Sequence, residues 1–215
     1  MKVYGIGGLG VDERVFSALN LDFELIALNW IDPQSKESTN SYANRLAEQI
    51  DQKASFAIIG VSFGGMIAIE LSKILNPEKI ILISSATSEQ DILLAFRLFG
   101  KTGIIHLVPD FLIKPPQFLV NYFFGISDDS HKKALKQILA DTDLQFLRWA
   151  ANKIMKWDNS ELPSNLVRIH GSADRLLNYQ KKDKVTVIPT AGHFMIMNRA
   201  DELSKILNKE VKNER

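Results

Sequence analysis

Short runs of apolar residues alternate along this chain with longer stretches in which apolar positions recur every three or four residues. The short runs are Lys2–Ile6, Phe23–Asn29, Ser55–Val61, Lys79–Ser84, Leu166–His170 and Lys184–Ile188. Several, such as AIIGV and KIILIS, are near-continuous Val, Ile and Leu, as a strand covered on both faces of a parallel sheet requires. The longer stretches have helical spacing. Thr39–Ile50 sets Ala43, Leu46 and Ile50 on one stripe, and Ala200–Val211 does the same with Leu203, Ile206 and Leu207. Strands alternating with helices predict right-handed βαβ units, hence an α/β fold with a doubly wound, mainly parallel sheet of about six strands.

From Thr87 to Leu162 this rhythm stops. The segment shows no strand signal; it is rich in Leu, Ile and Phe at helical spacing and is interrupted by Pro109, Pro115 and Pro116. It far exceeds an ordinary connection of ~2–6 residues, so it predicts a helical insertion over one end of the sheet. The 215 residues suit one domain spanning 1–215, with the insertion at 87–162 inside it.

Composition narrows the chemistry more than the fold. A net charge of +1 argues against a nucleic-acid partner held through phosphates. The lack of cysteine removes disulfides, thiolate zinc sites and a cysteine nucleophile, and fits a reducing compartment. The first residues, MKVYGI, read as a strand rather than a leader, and no apolar run is long enough to cross a bilayer. A cytoplasmic protein without stable membrane association is the expectation.

The sharpest motif is Gly60-Val61-Ser62-Phe63-Gly64, a G-x-S-x-G between the strand SFAIIGV and the helical GGMIAIELSKIL. In that context a sharp strand-to-helix turn exposes the serine oxygen at the carboxyl end of the strand. The competing reading is a turn that needs small residues for packing alone. A serine needs a base. Of the four histidines, His106 and His131 lie in the insertion, and His170 ends a strand, where a structural role is expected. His193, in AGHF between the last strand and the last helix, sits where α/β folds assemble their sites. Asp174, in HGSAD after the penultimate strand, is the acid expected to orient it. Alone it reads as a turn or cap residue; the order serine, aspartate, histidine gives it the catalytic reading.

The opening GIGGLG, Gly5–Gly10, fits two chemistries. As G-x-G-x-x-G it would cradle a dinucleotide pyrophosphate, with Asp32 near the position of a ribose-binding acid. As a glycine turn after the first strand it would hold a backbone N–H against a developing oxyanion. Asp12 and Glu13 directly after it would repel a pyrophosphate, which puts the oxyanion loop ahead.

Taken together, GIGGLGVDERVF, GVSFGGM, HGSAD and AGHF, in that order, resemble the α/β-hydrolase superfamily, and in particular its small single-domain bacterial members. The likeness covers about Met1–Ser85 and Asn165–Val211, with the insertion at the position of that family's variable lid. The resemblance implies Ser62 as nucleophile, His193 as general acid/base, Asp174 as orienting acid, and the backbone N–H groups of Leu9 and Phe63 as oxyanion donors. It implies acyl transfer to water with no cofactor and no metal. Three features depart from the pattern. Gly7 stands where histidine or proline is usual, no proline follows Asp174 in DRLL, and the chain begins at what would be the family's third strand.

The expected substrate is therefore a small or medium carboxylic ester or thioester, partly apolar. Two other readings stay open: a lyase or carbon–carbon bond hydrolase using the same serine and histidine, and a non-catalytic ligand receptor on the same fold. In the insertion, Phe96, Phe99, Phe111, Phe118, Tyr122, Phe123 and Phe124 are expected mostly to pack its helices onto the sheet, with a few lining an acyl pocket. Arg97, Lys114 and Arg148 could bind a carboxylate substrate, although scattered cations usually form solvated surface.

Overall fold

Six strands pair in one sheet in the order β2-β1-β3-β4-β5-β6, every pairing parallel. They are β1 (Lys2–Ile6), β2 (Leu25–Ala27), β3 (Phe56–Val61), β4 (Lys79–Ile83), β5 (Leu166–Gly171) and β6 (Thr186–Ile188). The structure, a computed structural model, describes residues 1–103, 105, 108–109, 113–180 and 184–212. Each predicted strand is present. The edge strands β2 and β6 are three residues long, shorter than the apolar runs Phe23–Asn29 and Lys184–Ile188, because an edge strand has one partner to set its length.

The central strands show why their sequences lack alternation. All of β3 is buried, and so is β4 after Lys79. Tyr4, Ile58, Ile80 and Leu82 enter one core with α1 (Thr39–Leu46) and α2 (Phe63–Ser72). Val3, Ile59, Ile81 and Ile169 enter a second core with Leu203 and Leu207 of α8 (Ala200–Lys212), which follows the short α7 (Met195–Asn198). Each such side chain contributes ~1.5–3 kcal/mol by leaving water. The helix predicted over Thr39–Ile50 starts on the Ser38 side-chain cap and changes to a 3-10 turn, Ala47–Gln49, for its last residues.

Between β4 and β5 the chain forms α3 (Leu94–Thr102), α4 (Gln117–Phe124), α5 (Asp129–Asp141) and α6 (Leu144–Lys156). Asp128 and Asp143 cap the last two, each accepting hydrogen bonds from the first turn. Three sets of contacts anchor these helices. Trp149 of α6 packs at a tilt against Tyr42 of α1 with centroids 4.4 Å apart, and Phe146 meets Trp30 at 5.1 Å. At the root, Arg168 of β5 and Asp91 form a fully buried ion pair at 2.8 Å, with Thr87 also donating to Asp91. At the far end, the Phe194 N–H donates to Phe124 O at 3.0 Å. His106 and Phe111 of the insertion lie outside the described residues.

The outward faces of α3 and α4 differ from expectation. Phe118 and Tyr122, predicted to pack onto the sheet, are mostly exposed, as are Leu94 and Leu98. Helical apolar spacing does not distinguish a side chain facing the sheet from one facing outward when both stripes are apolar.

The strand order reverses between β1 and β3, since β2 lies on the far side of β1. Loops from the carboxyl ends of neighbouring strands diverge at such a point and leave a crevice. Ser62 follows β3 at that crevice.

Candidate active site

Ser62 joins β3 directly to α2 with φ 52° and ψ −118°, a left-handed conformation that costs a non-glycine residue of order 1–3 kcal/mol. Its neighbours hold it there. The Ser62 N–H donates to Ile83 O on β4 at 2.9 Å, and Ser62 O accepts from Ser85 Oγ at 2.7 Å. The flanking glycines allow the turn to close. A Cβ at Gly64 would lie 2.2 Å from Gly7 O, and one at Gly60 would lie 2.5 Å from the Gly65 Cα. Ser62 does not cap α2 with its side chain.

The hydroxyl points instead at His193, whose Nε2 lies 2.9 Å from Ser62 Oγ. The other ring nitrogen, Nδ1, lies 2.8 Å from Asp174 Oδ2. An ionised carboxylate only accepts, so Nδ1 carries the proton, and Nε2 is left free to accept the serine O–H. Thus Ser62, His193 and Asp174, 131 and 19 residues apart, form one hydrogen-bonded chain across three loops. Edge-on contact with Phe124 at 5.3 Å steadies the imidazole from the insertion side.

The Asp174 side chain is fully buried and accepts two backbone N–H bonds, from Leu176 at 2.8 Å and Leu177 at 3.1 Å. Burial alone would push its carboxyl upward; the neighbouring His193 and His170 outweigh that and hold it well below the usual carboxylate range. It is anionic wherever the protein is folded near neutral pH. The second histidine, His170, is the member that sequence reasoning passed over. It is fully buried, with Nε2 3.2 Å from the same Asp174 oxygen. The available signal was a pair of polar residues, Arg168 and His170, in the otherwise apolar β5.

The glycine loop lies beside the serine. A Cβ on Gly8 would sit 3.4 Å from Ser62 Cβ, and Thr142 of the insertion donates to Gly10 O. Residues 7–24, all described, hold one 3-10 turn, Glu13–Phe16, and no α-helix. The pyrophosphate cradle needs a helix N-terminus at that place, so the dinucleotide reading of GIGGLG loses its basis. Asp12 caps the 3-10 turn and pairs with Arg14. The Asp32 carbonyl accepts from Arg45.

A cavity of about 630 Å³ opens on Ser62 and His193. Among the described residues lining it, these two alone carry polar side chains. Val61, Met66 and Leu177 come from the sheet side; Phe96, Phe99, Ile154 and Met155 come from the insertion. Arg97, Lys114 and Arg148 are not among the lining residues. Arg97 pairs with Glu89, Lys114 donates to Ala140 O, and Arg148 donates to Ile105 O. These three cations are thus held by partners away from the cavity. Among the described residues, no cluster of His, Asp and Glu is arranged to hold a metal ion, and no helix is long and apolar enough to cross a membrane.

Solved structures share this architecture at low sequence identity. A hydrolase from Oleispira antarctica superposes with a TM-score of 0.76 at 14% identity, covering 99% of this chain and 91% of that one. A thermophilic esterase gives 0.73 at 18% identity, covering 98% and 89%. A thermophilic esterase from Thermogutta terrifontis, solved with malate bound, gives 0.74 at 14%, covering 99% and 89%. Among curated proteins, none matches this sequence. The profile of the alpha/beta hydrolase family matches residues 16–206, a span that contains Ser62, Asp174 and His193. The chain belongs to the alpha/beta hydrolase family and, on that membership, is a hydrolytic enzyme.

Proposed function

We propose that this protein is a serine hydrolase that cleaves a carboxylic ester or thioester with an apolar acyl group. The observation that carries the reading is the unbroken hydrogen-bonded chain from Ser62 Oγ through His193 to Asp174 at the floor of an apolar cavity. In this mechanism His193 Nε2 takes the hydroxyl proton as Ser62 Oγ attacks the substrate carbonyl. Asp174 stabilises the imidazolium that forms. The oxyanion is held by the backbone N–H groups of Leu9 and Phe63. Support for that assignment is the closeness of the Gly8–Leu9 turn to Ser62 and the position of Phe63 at the start of α2. The first N–H groups of a helix have no intrahelical acceptor, and its dipole favours negative charge there. The tetrahedral species collapses as His193 returns the proton to the leaving alkoxide or thiolate. Water then attacks the acyl-enzyme by the same route and releases the acid and free Ser62.

The cavity favours this reading over carbon–carbon or elimination chemistry. Those reactions need polar groups to hold a polar carbon skeleton, whereas an alkyl acyl chain needs only apolar walls. The insertion serves as the lid of the site, since its Phe96, Phe99, Ile154 and Met155 close the cavity above the serine. The test is intact mass after treatment with a fluorophosphonate, followed by turnover of p-nitrophenyl esters of increasing chain length. Wild type should gain one adduct, and Ser62→Ala none, with turnover lower by about 10⁴-fold or more. A Ser62→Ala variant that still hydrolyses the esters at the wild-type rate would sink the proposal.

A further inference from the structure

Strand β5 carries two polar side chains among apolar ones, and they have separate partners. Arg168 is committed to Asp91, Thr87 and the carbonyls of Ser85 and Asn178. His170, with no exposed surface, turns Nε2 toward two acceptors, Leu177 O at 3.1 Å and Asp174 Oδ2 at 3.2 Å. Both neighbours accept, so the hydrogen between them belongs to Nε2. Among the described residues, nothing hydrogen-bonds its buried Nδ1. A second N–H at that position would be desolvated without compensation, so the ring is the neutral Nε2–H tautomer.

We propose that His170 is a positioning residue for the catalytic pair, tuning His193 through the Asp174 oxygen that the two imidazoles share. The inference rests on the reading of Ser62, Asp174 and His193 as a triad. His170 Nε2, whose proton goes to Leu177 O, lies 3.2 Å from the carboxylate oxygen that His193 also contacts, and its N–H dipole offsets part of that oxygen's negative charge. A carboxylate with this dipole beside it is a weaker partner for the imidazolium of His193. The pairing of Asp174 with His193 is thereby loosened, which favours the neutral ring that serves as base. The same His170 hydrogen ties Leu177, a lining residue of the cavity in the Asp174 loop, to strand β5.

The groups that face this pair come from several elements. Asp174 touches both rings, and Tyr179 lies against His170 with centroids 5.2 Å apart. Ser62 and Phe124 face His193. The Arg168–Asp91 pair, whose charges offset each other, meets the same loop one residue further on, at Asn178.

The test compares wild type, His170→Gln and His170→Leu by the pH dependence of fluorophosphonate labelling at Ser62, each checked for folding by its melting curve. Glutamine keeps an N–H near the position of Nε2 and should keep the acid midpoint of wild type. Leucine removes it, and the midpoint should rise by about half a pH unit or more, so that labelling on the acid limb slows roughly threefold relative to its plateau. A merely structural role would lower the plateau and leave the midpoint in place, and that result overturns the inference. If the leucine variant does not fold, ¹⁵N-histidine NMR of the unmodified protein decides. A proton on Nε2 of His170 supports the proposal, and a proton on Nδ1 overturns it. Wild type that never labels would instead overturn the triad reading, and this inference with it.

Discussion

The turn that carries Ser62 and the helices between β4 and β5 are both built from apolar residues, yet they use them in opposite ways. In α2 every residue from Phe63 to Leu71 is buried, and the backbone around Ser62 is so crowded that glycine is required. In α3 and α4, by contrast, Leu94, Leu98, Phe118 and Tyr122 face outward, while Phe96 and Phe99 line the cavity. One region fixes atoms to a fraction of an ångström; the other provides an apolar wall with tolerance for change. The contrast teaches that apolar content is a poor guide to rigidity. Close backbone contact and satisfied polar groups are what hold the serine.

The comparison is most severely tested at the acid. Asp174→Asn keeps the shape but lets the side chain donate, which favours the wrong tautomer of His193. Turnover should fall by about 10³–10⁴-fold with the fold intact by circular dichroism. Asp174 also links the site to acid stability. Its folded carboxyl titrates below the ordinary value of 3.8, so it stabilises the fold at all higher pH and loses that contribution as pH falls below about 4. Unfolding midpoints measured from pH 6 down to pH 3 should drop, and the drop should be shallower in Asp174→Asn.

Next in size is the turn itself. Gly64→Ala drives a methyl group into Gly7 O and Ile6 O and should cost roughly 3 kcal/mol in denaturant unfolding, with activity lost alongside. The insertion should respond differently. Phe96→Ala with Phe99→Ala removes cavity wall, lowering kcat/KM by about tenfold for the longer acyl esters while short esters change little. Least of all, Leu98→Ser or Phe118→Ser should leave stability within about 0.5 kcal/mol. A large loss there would mean that these exposed side chains pack against something, and the contrast between the two regions would fail.

Much of this was legible from residues alone. The six strands, their parallel class and the break at Thr87–Leu162 follow from periodicity, because a strand buried on both faces cannot afford polar alternation. The likeness of GVSFGGM, HGSAD and AGHF to a known family put Ser62, Asp174 and His193 forward together, and the fold brings those three side chains into one hydrogen-bonded chain. The Gly5–Gly10 loop remained open between two chemistries until the absence of an α-helix before β2 removed one of them. Local spacing, in short, determined the elements and the residues eligible for chemistry.

Tertiary structure alone decided the rest. Nothing in the spacing of the insertion told which of its aromatic residues face the cavity and which face outward, because side-chain direction depends on where a helix is docked. Nor did the sequence bind His170 to Asp174, reserve Arg168 for Asp91, or engage Arg97, Lys114 and Arg148 away from the site. Those pairings join residues distant along the chain or set by the path of one loop. Hydrogen-bond partners are fixed by position and direction within a few tenths of an ångström, and only the folded chain sets those.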